Sequence, residues 1–204
     1  MSGIIAQNSG RHTGLVKASS GGGGVWNLIK TYTASGDADL SFVDGTDGVD
    51  FTAYDEFVFK FIDIHPSGDL TDLQVNFRDG STAYDAIKTT SVFRTYAGEA
   101  DDEAILGYNA SWDLAQSTGV QLISHGIDND NDSCAVATLH LFNPSSTTFV
   151  KHFMSVSNAM NGAYTHQNFV TGYCNVTAAI DGVQFSMSSG TIDSGQISLY
   201  GISS

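Results

Sequence analysis

Glutamate is scarce in this 204-residue chain: Glu56, Glu99 and Glu103 stand beside 19 aspartates. Exposed helix surfaces draw on glutamate, whereas aspartate bonds nearby backbone groups and belongs to turns and caps. The shortage argues against a helical fold. Basic residues are also few, 8 against 22 acids, giving a net charge of −14. Phosphate recognition needs clustered lysine and arginine, so no nucleic-acid partner is expected. No run approaches the 18 or more apolar residues of a membrane-spanning helix, and Met1–Gly10 lacks the basic start and apolar stretch of a secretory signal. A soluble protein, or one embedded in a protein assembly, is expected, with no membrane partner. Cys134 and Cys174 are the only cysteines and form no C-x-x-C pair, so two buried free thiols are expected.

What the chain does contain is period-2 alternation. Residues 25–33 read as a strand, and Ala38, Leu40 and Phe42 share one face of the next. In 54–64, Phe57, Phe59 and Phe61 fall on one side and Val58, Lys60 and Ile62 on the other, as in a central strand buried on both faces. His65-Pro66 ends that run. Further strands are expected around Leu73–Phe77, then at 87–96, 104–108, 120–124, 135–142, 147–156, 168–176, 182–187 and 196–202, with a turn at Asn143-Pro144-Ser145-Ser146. One short helix is expected at Ser111–Ser117. About eleven strands with no βαβ alternation and no amphipathic helix to cover a sheet predict an all-β, two-sheet, jelly-roll-like β-sandwich over 25–204. Folding at this size removes roughly 70% of the unfolded chain's surface from water, so neither metal nor disulfide is needed for stability.

Residues 1–24 form a glycine- and serine-rich N-terminal arm ending in four glycines. Its apolar content is too small to offset its ordering entropy alone, so order is expected only against a partner. The charge is unevenly divided: residues 1–36 carry Arg11, Lys17 and Lys30 and no acid, which leaves the remainder at −17. A cationic arm thus precedes an anionic body, and Arg11, His12 and Lys17 are the candidate residues for pairing with acidic patches on a partner.

Motifs that carry chemistry are thin. Asp128-Asn129-Asp130-Asn131-Asp132-Ser133 starts like a calcium loop, but Ser133 and Leu139 stand where an EF-hand has its glycine and its bidentate glutamate. Asp128, Asp130 and Asp132 remain as a weak calcium candidate beside the plainer reading of a solvated hairpin tip. Asp44, Asp47 and Asp50, and Glu99, Asp101, Asp102 and Glu103, are the other acidic groups from which a glycosidase pair would have to come. The six histidines show no metal-binding spacing, and no G-x-S-x-G, P-loop or G-x-G-x-x-G is present. No catalytic residue, cofactor or enzymatic activity is expected. Trp112 and Tyr164 are the aromatics that an exposed sugar-stacking surface would use, beside the plainer reading that the aromatics pack in the core or at a subunit interface.

Several segments carry a resemblance: Trp26-Asn27-Leu28-Ile29-Lys30-Thr31, Tyr54-Asp55-Glu56-Phe57-Val58-Phe59-Lys60-Phe61, Asp113-Leu114-Ala115-Gln116, Met187-Ser188-Ser189-Gly190, Leu199-Tyr200-Gly201, and above all the run from Leu141 through Phe142-Asn143-Pro144-Ser145-Ser146-Thr147-Thr148-Phe149-Val150-Lys151 to His152. On these the chain resembles a family of virion structural proteins of tailed phages, especially marine phages, and prophages. The resemblance implies a virion component, assembled in the host cytoplasm, and names no active site. A capsid decoration or cement protein is expected, working as a homo-oligomer, in first choice a trimer, on the major capsid protein or other virion proteins. The alternatives are a tail or fibre component and a carbohydrate-binding module for host surface glycans.

Overall fold

The computed structural model describes residues 25–203, and within them every regular element is a strand. In chain order these are β1 (Val25–Thr33), β2 (Asp39–Val43), β3 (Glu56–Pro66), β4 (Thr71–Arg78), β5 (Lys88–Gly98), β6 (Ala104–Tyr108), β7 (Gln121–Ile127), β8 (Ala135–Phe142), β9 (Lys151–Asn161), β10 (Tyr164–Cys174), β11 (Gly182–Met187) and β12 (Ile192–Ser203). They form two antiparallel sheets, one of eight strands in the order β1-β12-β3-β8-β9-β10-β5-β6 and one of four in the order β2-β11-β4-β7. The expected two-sheet sandwich is what forms, with twelve strands and unequal layers. From β1 to β5 the chain changes sheet at every step, and it does so again from β10 to β12, which gives the fold its jelly-roll-like character.

The core lies between the sheets and follows directly from alternation. Phe57, Phe59 and Phe61 of β3 point inward with almost no exposure, and Phe42 and Phe185 of the small sheet meet them. Phe185 stands at the centre, edge-to-face with Phe59 at 5.1 Å and Phe61 at 4.8 Å, while Phe42 packs on Phe59 at 5.2 Å. These are the offset geometries that aromatic quadrupoles favour. Leu73, Val75 and Phe77 of β4 and Leu139 and Leu141 of β8 fill the remainder.

Several boundaries depart from the sequence expectation: β10 and β12 each begin four residues earlier, at Tyr164 and Ile192, and β3 runs on through His65 and Pro66. Two further departures have a local cause. Residues 111–117 make turns and no helix, because their backbone is tied to β5: Thr90 N–H donates to Leu114 O at 2.9 Å, and Lys88 and Ser117 exchange two bonds at 2.8 and 2.9 Å. β9 starts at Lys151, four residues later than expected. The Ser146 hydroxyl accepts the N–H groups of Thr148 and Phe149 at 3.2 and 3.0 Å, which closes a turn where a ladder would otherwise begin.

At one end of the large sheet β3 and β12 bulge side by side, with register shifts between Phe61 and Ile64 and between Ile192 and Gln196. Asp63 sits there at φ 53 and Gly195 at φ 115. A Cβ on Gly195 would meet the Asp63 carbonyl oxygen at 2.6 Å, so this position requires glycine on both counts.

Candidate interaction surface

The small sheet covers one side of the large sheet, and the other side faces outward. β9 shows the division most plainly: Lys151, Phe153, Ser155, Ser157 and Ala159 are buried, and His152, Met154, Val156 and Asn158 are exposed. Register carries the outward set across neighbouring strands. Val156 lies opposite Thr138 of β8 and Phe169 of β10, and His140 lies opposite Val58 of β3, itself opposite Tyr200 of β12. A solvent-facing sheet surface is ordinarily polar. Here Leu28, Ile62, Val136, Met154 and Val156 are 44–59% exposed. Together they make a broad apolar surface of the kind that marks an interaction site.

A groove of about 620 Å³ runs along this surface, floored by Ile62, Val136 and Val156 and walled by Trp26 and Tyr200. Trp26 meets Tyr200 edge-on at 5.5 Å, and the Lys60 ammonium lies 5.1 Å from the Trp26 ring centre in a cation–π contact. Glu56 Oε1 lies 2.6 Å from His140 Nδ1 on the same face. Farther along, Phe93 and Phe169 stack at 4.6 Å.

Charge is segregated away from this sheet. Of the 22 acids, three (Glu56, Asp63 and Asp193) lie in its eight strands and two (Asp39 and Asp72) in the small sheet, which leaves 17 in the connections. Asp63 and Asp193 belong to the bulged end, so Glu56 alone brings a carboxylate to the outward face proper. The same eight strands carry five of the eight basic residues, Lys30, Lys60, Lys88, Arg94 and Lys151. The anionic character expected of the body therefore resides in its connections, and the outward face carries little charge.

The acidic groups of those loops shape turns. Asp44 Oδ1 accepts the Phe51 N–H at 2.7 Å, Asp50 Oδ1 caps Thr52, and Asp47 pairs with Lys30 at 3.1 Å and accepts the Tyr32 hydroxyl. Bonding to Lys30 and Tyr32 holds the Asp47 carboxyl below the usual aspartate range. Glu103 accepts the Tyr96 hydroxyl at 2.7 Å beside the β5–β6 hairpin. Asp128, Asp130 and Asp132 occupy the β7–β8 connection without converging: Asp128 accepts N–H bonds from Asp130 and Gly162 at 3.2 and 3.1 Å. Among the described residues no three His, Cys, Asp or Glu side chains are placed to share a metal ion. Arg11, His12 and Lys17 lie outside the described residues.

Trp112 and Tyr164 are half-buried and engaged within the molecule, in keeping with the plainer expectation of packing and not with sugar-stacking platforms. Trp112 lies 4.1 Å from the His125 ring with the Arg94 guanidinium 4.8 Å away, and Tyr164 packs edge-on against Tyr96. His125 Nδ1 is 2.8 Å from Asp72 Oδ1, while buried His166 has no partner for Nδ1; burial, then the neighbouring His125 and Arg94, push its pKa down to about 4. The exposed aromatic of the groove is Trp26, at 45%, whose place on β1 alternation alone left open, since either face of an edge strand can be the wet one.

The inner side of the large sheet also holds two fully buried lysines on either side of Cys174 in register. Lys88 Nζ donates to Asn76 Oδ1 at 2.5 Å and to Ala86 O at 2.8 Å, and Lys151 Nζ donates to the carbonyls of Val176 and Ala178. Burial pulls the Lys88 pKa down to about 8 and pushes the Cys174 thiol up to about 12. Such a thiol is inert. Cys134 is only half-buried, contrary to the expectation of two buried thiols, and it too is unpaired.

Fold and surface together define a two-sheet antiparallel β-sandwich whose large sheet has an apolar outer face of little charge. No protein-family model and no curated protein sequence matches the chain.

Proposed function

We propose that the chain is a virion structural protein of a tailed phage, a capsid decoration or cement subunit that coats the shell as a homo-oligomer. The outward face of the eight-stranded sheet carries the proposal: apolar at its centre, depleted of charge and surrounded by polar loops, it has the anatomy of a protein–protein interface. The sequence resemblance supplies the virion setting. The basic arm supplies the second contact, with Arg11, His12 and Lys17 reaching acidic patches of neighbouring shell subunits, an arrangement in which two weak contacts add through high effective concentration. Deletion of residues 1–24 is expected to leave a folded domain that no longer cosediments with purified capsids. Undiminished coating by the truncated protein overturns the arm's role.

One observation favours a second reading as a glycan-binding module: the groove joins the exposed Trp26 ring to the amide side chains of Asn158 and Gln167, groups that suit sugar faces and hydroxyls. Glycan-array binding by the isolated protein, lost in Trp26→Ala, distinguishes it from assembly.

A further inference from the structure

We infer that the outward face of the large sheet closes against a second copy of this chain, about a two-fold axis passing near Val58. The inference rests on reading this face as an assembly surface and adds the identity and symmetry of its partner.

Electrostatics first restricts how two copies can meet. Each carries −14, with 17 acids in the connections, so contacts through the loops repel. The outward face of the large sheet is where the repulsion is least, because its central strands present one carboxylate and one ammonium, Glu56 and Lys60, with His140 against Glu56. Exposed His152 is the remaining titratable group that β9 presents there.

Glu56 and Lys60 are four residues apart on one strand, equidistant from Val58 and on the same side as Val58. A two-fold that lies in the interface above Val58 and runs perpendicular to β3 reverses the strand across the interface and exchanges the two positions. Two copies related by a two-fold lying in the interface, with β3 antiparallel across it, therefore bring each Lys60 over the partner's Glu56. The face is self-complementary, as an isologous contact demands.

Size agrees. Strands about 4.8 Å apart that rise about 3.3 Å per residue give the six strands from β1 to β10 an outward face of roughly 30 by 25 Å, on the order of 800 Å². That is the area one partner contributes to a standard stable interface. Exposed apolar side chains lie there, with Val136, Met154 and Val156 on adjacent strands.

The test is sedimentation of the full chain from about 1 to about 100 µM, the range in which a micromolar dimer forms and dissociates. Wild type is expected at twice 21.6 kDa. Val156→Asp, which buries an unpaired carboxylate in each copy, is expected at the monomer mass, its dissociation constant raised at least about 100-fold, with an unchanged circular dichroism spectrum. Phe149→Asp, on a loop away from the face, is expected to remain dimeric. Glu56→Lys and Lys60→Glu are each expected to weaken the dimer about tenfold and to restore it when combined. A wild-type monomer throughout the range, or a dimer indifferent to Val156→Asp, overturns the inference. A trimer dissolved by Val156→Asp keeps the assembly surface and overturns the two-fold partner, and a monomer that binds glycans through Trp26 overturns both.

Discussion

Phe185→Ala is expected to lower the stability of the domain by about 3–5 kcal/mol, the range for deleting a fully buried phenylalanine. Phe185 projects from the central small-sheet strand β11 into a cluster where Phe42, Phe59 and Phe61 all meet its ring. Those neighbours belong to β2, paired with β11, and to β3, held by register on both sides, so the vacated volume cannot easily collapse. At this chain length the melting temperature should fall by about 10 °C, and the urea midpoint should drop without a change in slope. A loss below about 1 kcal/mol would show that the inter-sheet aromatic cluster does not hold the two layers together. Phe149→Ala provides the contrast: that ring is 69% exposed and its removal should be nearly neutral.

The second large effect is the pH dependence set by Lys88. Its side chain is fully buried and bonded to Asn76 Oδ1 and Ala86 O, with no carboxylate partner, and burial brings its pKa to about 8 from 10.5. The native state therefore releases the proton earlier than the unfolded chain. Below pH 8 both states are protonated and the penalty for the buried charge is constant. Between pH 8 and 10.5 the unfolded chain binds more protons, so stability rises with pH by an amount on the order of 2–3 kcal/mol. Lys88→Met should remove this rise while keeping the side-chain volume. The measurement is the difference in unfolding free energy between wild type and Lys88→Met at pH 7.5 and pH 10. A difference independent of pH contradicts the assignment.

The sandwich was legible because alternation is strong wherever one face is buried. Ala104–Tyr108, Ala135–Phe142 and Gly182–Met187 were bounded correctly, and the triple phenylalanine run of β3 announced a central strand. Residues 111–117 misled because their local composition resembles a helical turn, whereas bonds to β5, some two dozen residues earlier, fix them. The outward face was hidden for a related reason. Val136, Met154 and Val156 look like core in a one-dimensional pattern, and only the disparity between eight strands and four reveals that nothing among the described residues covers them. Charge segregation was half-visible: the acids could be counted, but their exclusion from one sheet depends on strand order. Packing was the plainer reading of Trp112 and Tyr164, but its partners, Arg94, Tyr96 and His125, are distant in sequence and could not be named from it.

The central claim is that the outward face of the large sheet is covered in the assembled protein. Met154 reports on it directly, since the residue is 49% exposed in the single chain and lies on β9 of that face. The measurement is the rate of sulfoxide formation at Met154 under dilute peroxide, read by peptide mass spectrometry for wild type and Val156→Asp at one high concentration. Coverage predicts that Met154 in wild type oxidises several-fold more slowly than in the variant, and that dilution of wild type removes the protection. Equal rates for the two proteins at every concentration would contradict the account.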